Sequence, residues 1–313
     1  MSVTRKRLTR KHVSEHRVSL AGKPRHCSNF FLDSGAHSIY TERVIVKGHA
    51  EGYSWYKSAE FRKYVDDYAA FIKAHDNGID WYANVDAIFN PELSWETQKY
   101  LEQEHGLKPI PVIHFGTEWK WFDKHLEAGY EFLGIGGLGQ EATKGDYRVW
   151  ADKVFTGLCP RSNGHLPLVR THGFAMTSYS LMIRYPWWSV DSASWAKAAG
   201  FGSVFVPHKR NGKFDFAVPP YVIGFSFRSE TAKVLGKHFL TLTKSEQKVV
   251  LDWLAEIEMP LGKMSPEGVP VEYGVLSQYN ARAAANLKFY DRLCKWIPPW
   301  PWKFQVTNPG GFF

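Results

Sequence analysis

The chain of 313 residues is poor in cysteine, holding only Cys27, Cys159 and Cys294, far apart in sequence. Three scattered thiols cannot pair into a disulfide framework, and none stands at zinc-ligand spacing from another. A reducing, cytoplasmic setting is therefore expected. The sequence also lacks any run of about 18 apolar residues, which argues against a membrane-spanning helix. No apolar stretch follows Met1-Ser2-Val3-Thr4-Arg5-Lys6-Arg7, so the start does not read as a secretory leader. Internal repeats and low-complexity stretches are missing as well. Acidic residues are outnumbered, 31 Asp and Glu against 39 Lys and Arg, for a formal net charge of +8. A cationic excess of this kind favours a polyanionic partner, although many proteins that never touch nucleic acid share it.

Aromatic residues, by contrast, make up 16% and hydrophobic residues 44%, which is the composition of a chain with a packed core. Basic side chains crowd the first 26 positions: Arg5, Lys6, Arg7, Arg10, Lys11, Arg17, Lys23 and Arg25 against a lone Glu15. Such an arm is either a solvated extension or a set of phosphate contacts.

From residue 28 short apolar runs alternate with amphipathic stretches. The runs are 29–33, 81–86, 109–115, 131–136, 166–171, 187–191, 202–207 and 221–225, and the stretches include 58–74, 95–105 and 119–128. This alternation predicts parallel βαβ units. Eight such runs suggest a (β/α)8 TIM barrel, which needs about 250 residues; a doubly wound open sheet satisfies the same pattern. The expected organisation is a basic N-terminal extension at 1–27, the barrel core at 28–228 and a C-terminal helical completion at 229–313. In that last part Thr243-Lys244-Ser245-Glu246 reads as a capping box before a helix over 245–259. A second helix over 277–296 is stopped by Pro298, Pro299 and Pro301. The tryptophans of the 296–302 tail read as apolar cover more readily than as base platforms.

Barrels place their chemistry at the carboxyl ends of the strands. There the runs end in Asp33-Ser34-Gly35-Ala36, Asn84-Val85-Asp86, His114-Phe115-Gly116, Gly134-Ile135-Gly136-Gly137-Leu138-Gly139, His172-Gly173-Phe174 and Asp191-Ser192-Ala193-Ser194-Trp195. One strand-end Asp commonly caps the following helix. Three at one mouth, with two histidines and a glycine turn, favour chemistry. Paired carboxylates suit reactions at an anomeric carbon, one attacking and the other moving protons. Glycines after a strand let backbone N–H groups approach a planar ligand.

The same residues resemble a known family. Phe31-Leu32-Asp33-Ser34-Gly35-Ala36-His37-Ser38 is similar to the Asp-Ser-Gly-Gly-Phe-Gln signature of tRNA-guanine transglycosylases. Gly134-Ile135-Gly136-Gly137-Leu138-Gly139 is similar to their Gly-Ile-Gly-Gly-Leu base-binding turn. Val190-Asp191-Ser192-Ala193-Ser194-Trp195 resembles the Phe-Asp-Ser-Ala-Ala-Tyr form of their nucleophile motif. The three motifs occur in the family's order across residues 28–205.

The resemblance implies a TIM barrel that exchanges guanine for a 7-deazaguanine base. It makes Asp191 the nucleophile and Asp33 the general acid/base. It places Ser34, His37, Asp86, His114, Gly136, Gly137, His172 and Met176 around the base. His114 stands where the tRNA enzymes carry a Gln, and His37 where they carry a stacking aromatic. Those enzymes also hold zinc on three Cys and a His near the C-terminus, where this chain has only Cys294. No zinc, no other cofactor and no zinc subdomain are therefore expected. The missing parts make the chain more like the 7-deazaguanine DNA transglycosylases of phages and bacterial modification clusters, which act in the cytoplasm, the host's where phage-encoded.

The implied partners are DNA and a preQ0-like base, with no membrane. A homodimer stays open. The glycosidic bond lies inside the stack, so the nucleotide must be flipped or single-stranded. Arg5, Lys6, Arg7, Lys209 and Arg210 are candidate phosphate contacts. Trp119, Trp121, Trp187 and Trp188 are candidate stacking platforms, with core packing the commoner role. The same exchange on tRNA, a catalytically silent nucleic-acid-binding barrel and a barrel for a phosphorylated metabolite are the competing readings. The last would carry a glycine-rich phosphate turn after its late strands, where Val206-Pro207-His208-Lys209-Arg210-Asn211-Gly212 is basic instead.

Overall fold

A computed structural model describes residues 30–75, 78–137, 144–227, 234–265 and 268–304. Arg5, Lys6 and Arg7 of the basic arm, and Leu138 and Gly139 of the glycine turn, lie outside the described residues. The protein is mixed α/β with parallel strand pairing. It divides into two compact units: the first runs to Ala151 and takes in Val169–His172, while the second comprises Asp152–Leu168 and Gly173 onward.

The first unit starts with β1 (Phe31–Leu32), α1 (Ala36–Ile39), α2 (His49–Trp55) and α3 (Ala59–Ala74). It continues with β2 (Trp81–Tyr82), α4 (Pro91–Gln103), β3 (Val112–His114), α5 (Trp119–Glu127) and β4 (Phe132–Gly136). The chain then enters α6 (Lys144–Leu158) and β5 (Arg170–Gly173). In α3, Phe61, Val65, Tyr68, Ala69 and Ile72 recur at helical spacing and bury one stripe. Its first turn is closed by Ser58 Oγ, which accepts the Phe61 N–H at 3.1 Å. Asn90 caps α4 in the same way, followed by Pro91, whose fixed φ suits a first helical position.

Strands β1 and β2 pair in parallel with Phe31 opposite Trp81. A parallel bridge joins Ala83 to Ile110, and β3 pairs with β4 with His114 opposite Gly136. The Arg170 N–H donates to the Glu131 carbonyl at 2.9 Å, which sets the start of β5 beside β4. Sequence neighbours are thus spatial neighbours, each parallel step returning through helix. In a flat sheet β1 and β5 would stand four spacings apart, roughly 19 Å. Instead the rings of Phe31 and His172 stack with centroids 4.5 Å apart. The sheet of this unit is therefore strongly curved, and side chains of β1 and β5 meet across its concave face.

The second unit continues with α7 (Tyr179–Arg184), β6 (Ser189–Val190), α8 (Ser194–Gly200), β7 (Ser203–Val206), β8 (His208–Arg210), β9 (Lys213–Asp215) and β10 (Tyr221–Gly224). Next come α9 (Lys244–Glu256), β11 (Lys263–Met264), β12 (Pro270–Glu272) and α10 (Tyr279–Trp296). The capping box forms as expected, Thr243 and Glu246 exchanging side-chain and backbone bonds. Its core packs Val204, Val206, Phe225, Trp253 and Phe289 together. Buried Asn286 on α10 accepts the Phe205 N–H at 2.9 Å and donates to the carbonyls of Trp195 at 3.0 Å and Ser203 at 3.2 Å. Buried Arg282 donates to the Ala199 carbonyl near the end of α8 and to that of Val275. Together they tie α10 to the segment that follows Asp191.

Each of the eight apolar runs contains a strand. The eighth run, 221–225, was expected to be parallel; it forms β10, antiparallel to β7 with Tyr221 opposite Val206. A parallel return requires a crossover, and the intervening chain folds instead into the β8–β9 hairpin. Its turn holds Asn211 at φ 49° and Gly212 at φ 78°, the left-handed pair that Asn-Gly favours. Trp121 and Trp187 are buried, and Trp187 Nε1 donates to the Leu181 carbonyl, so both are core rather than base platforms. In the tail, Phe304 is buried against Phe155 and Tyr185. Among the described residues no helix is long and apolar enough to cross a membrane.

Acid should weaken both units. Burial holds the imidazoles of His125 and His238 below the ordinary value of 6.5. The unfolded chain takes up these protons first, so stability is complete above 6.5 and falls as pH drops through the lower folded values. Carboxylates do not contribute until nearer their ordinary 3.8 to 4.5. The melting temperature should therefore decline between pH 7 and about 5, and less so in a His125→Gln/His238→Gln variant. A flat wild-type profile would contradict this.

Candidate functional site

The strand-end carboxylates are not spent on helix caps. Gly35 is the N-cap of α1 and Ala193 that of α8, neither with a side-chain cap bond, and α4 is capped by Asn90. Asp33 is exposed immediately after β1 and Asp86 is buried beyond β2. Both carboxylates act on the buried phenol of Tyr68, which burial first and then their charge push well above its ordinary value. Tyr68 is thus a neutral donor, bonded to the Ala83 carbonyl at 2.7 Å. Ser34 is buried, and its carbonyl accepts the Tyr64 hydroxyl at 2.6 Å. Gly35 meets two demands there: its φ is +80°, and a Cβ would lie 2.8 Å from that hydroxyl. His37 is exposed on α1.

Asp86 and His114 form a close pair in the first unit. His114 Nε2 stands 2.5 Å from Asp86 Oδ2, the Asp86 side chain buried and that of His114 part-buried. An ionised carboxylate only accepts, so Nε2 carries the proton of this bond and, in the neutral ring, Nδ1 keeps the lone pair. The β3–β4 register sets His114 opposite Gly136, where a Cβ would lie 2.1 Å from His114 Nδ1. Glycine at 136 is therefore what lets the imidazole lie against β4. The ring edge of Phe89 closes on His114 with centroids 5.8 Å apart. Phe89 is itself held at φ 63°, a strained setting for a bulky residue. Tyr53 steadies that backbone by donating to the Ile88 carbonyl at 2.6 Å, its phenol pushed up to about 12 by burial, with Tyr40 adding to the shift.

Gly136→Ala should swing the His114 ring away and break the pair. The expected loss is about 2–4 kcal/mol, typical of disrupting a buried hydrogen-bonded charge, read as a lower urea midpoint. An unchanged midpoint would show that the ring can shift without penalty.

In the second unit Asp191 is exposed just after β6 and bound to the turn that follows β5. Its Oδ1 accepts the Ala175 N–H at 2.7 Å. Its own N–H donates to the Gly173 carbonyl at 3.1 Å, and its carbonyl accepts the Met176 N–H at 2.9 Å. Ala175 sits at φ 56° to make that turn. Met176 is buried, and a Cβ at Gly173 would lie 2.8 Å from Met176 Cβ. The carboxylate is thus oriented by backbone while remaining open to solvent.

No family model, curated protein or solved structure matches the chain. The site must be judged on its own geometry. Asp86, His114 and Gly136 come together, and His172 stacks on Phe31. Lys209 and Arg210 are each engaged by a carboxylate, Asp252 at 2.7 Å and Asp215 at 3.1 Å. Among the described residues no three His, Cys, Asp or Glu side chains group as metal ligands. Sequence reading missed Tyr64, Tyr68 and Phe89. The first two carried a signal, standing four apart on the apolar stripe of α3; the backbone setting of Phe89 carried none.

Proposed function

We propose that the chain is a base-exchange glycosyltransferase that replaces guanine in DNA with a 7-deazaguanine base through a covalent Asp191–deoxyribose intermediate. The observation that supports it most is the Asp86–His114 pair lying on Gly136, which gives the glycine turn a reason to exist at a buried, polar strand end. The first unit also carries an exposed Asp33, and the second unit a backbone-oriented Asp191; Gly35 and Ala193, not these carboxylates, are the N-cap residues of the helices that follow. In this reading an Asp191 oxygen attacks C1′, the C1′–N9 bond breaks, and guanine leaves with the electron pair and takes up a proton. Asp33 then accepts the N9 proton of the incoming base, which attacks C1′ and releases the Asp191 carboxylate. Asp86 accepts N–H groups of the base, and His114 presents its remaining nitrogen.

The reading includes a (β/α)8 barrel. The unbroken strand order of the first unit and the Phe31–His172 contact favour a sheet curling toward closure. Antiparallel β10 makes the closing strands a variation on eight parallel ones. No zinc is assigned, and the cytoplasm is the proposed compartment. Incubation with radiolabelled guanine and either DNA or tRNA tests the reading. Label entering DNA supports it, label entering tRNA alone moves the chemistry to that polymer, and label in neither ends it.

A further inference from the structure

An open groove of about 820 Å³ in the second unit lies between the β8–β9 hairpin, α9 and the end of α10. No strand-end carboxylate lines it. Its rim carries cations from two elements: Lys209 and Lys213 from the hairpin, Arg292 and Lys295 from α10. Two carboxylates face them, Asp252 and Glu256, so the groove keeps a positive excess.

These cations are not equivalent. Lys209 is fixed by Asp252 at 2.7 Å, with its ammonium 5.3 Å from the centre of the Phe214 ring. Among the described residues Lys295 is held only by an exposed pair with Asp291 one turn away, and exposed pairs of that kind are worth little. Lys213 is exposed at the hairpin tip. Both can turn to an incoming anion. Beside them the Trp296 indole is 46% exposed, a large apolar face left in water at the edge of a cationic channel.

We propose that this groove binds single-stranded nucleic acid, with phosphates on Lys213 and Lys295 and a base stacked on Trp296. Cations tracking a backbone beside an exposed aromatic face are what sequence-tolerant single-strand sites use. A duplex hides its base faces and would leave the indole unused. An acidic peptide would meet the cations but not the ring. The proposal rests on the reading above for the class of polymer, and it names where the strand is held away from the reacting nucleotide.

The test is fluorescence anisotropy with a labelled oligothymidylate of about sixteen nucleotides, the upper end of what a single-strand-binding module covers, together with tryptophan emission. Lys213→Glu/Lys295→Glu should bind about tenfold more weakly or worse. Its log–log salt dependence should be shallower by about 1.4, two phosphates at roughly 0.7 each. Trp296→Ala should bind about tenfold more weakly and lose the quenching that the oligonucleotide causes in the wild type. Unaltered melting temperatures would show these surface variants to be folded. Wild-type protein that does not bind the oligonucleotide, or variants that bind as the wild type does, would overturn the proposal. So would equal displacement by polyglutamate with no change in tryptophan emission. Base exchange is scored separately. Exchange with unaffected groove variants removes the groove alone, whereas groove-dependent binding without exchange keeps the groove and removes glycosyl transfer.

Discussion

Asp191→Asn should abolish base exchange while leaving the protein folded. The amide keeps an oxygen to accept the Ala175 N–H, so the turn that holds residue 191 keeps its bonds. What changes is the group that attacks in the proposed reaction, since an amide oxygen is a far poorer nucleophile than a carboxylate. Removing a covalent nucleophile lowers kcat by on the order of 10³- to 10⁶-fold. Label incorporation from radioactive guanine should fall below detection with little change in melting temperature. Asp191→Ala should lose the same activity and also some stability, because the Ala175 N–H loses its acceptor. Near-wild-type exchange by a folded Asp191→Asn protein would remove Asp191 from the chemistry.

Asp33→Ala should stop turnover yet spare the first half of the reaction. In the proposed reaction its carboxylate would handle the proton of the incoming base and not bond to the sugar, and general-base loss typically slows a step by about 10²- to 10⁴-fold. A DNA–protein adduct stable to denaturation should therefore accumulate on guanine-containing DNA. Asp33 is exposed, and Gly35 is the N-cap residue of α1; a melting temperature near that of the wild type would show the variant folded. Loss of adduct and of folded structure together would give Asp33 a structural role instead.

Both predictions concern residues that were legible from their place after an apolar run. Strand-end position follows from local pattern, because the run that builds a strand also says where it stops. Asp33, Asp86 and Asp191 all lie where that rule places them. The pattern is silent on capping, and helix N-termini with Gly35, Asn90 and Ala193 at the cap are what separate these carboxylates from commonplace N-caps. It is equally silent on engagement: Lys209 and Arg210 read as basic loop residues, and each turns out to face a carboxylate.

By itself the sequence determined the local elements of this protein. All eight apolar runs became strands, the stripe of α3 became a buried face, and Thr243 with Glu246 closed α9, because periodicity and caps act over a few residues. Only the tertiary structure decided what those elements meet. The direction of β10 depends on the hairpin before it, not on its own apolar residues. The requirement for Gly136 comes from a histidine on the neighbouring strand. The Asp86–His114 pair joins positions 28 residues apart, and the curvature that brings Phe31 onto His172 belongs to the whole sheet. Such contacts are set by strand register and packing between distant segments, to which the periodicity of any one segment is blind.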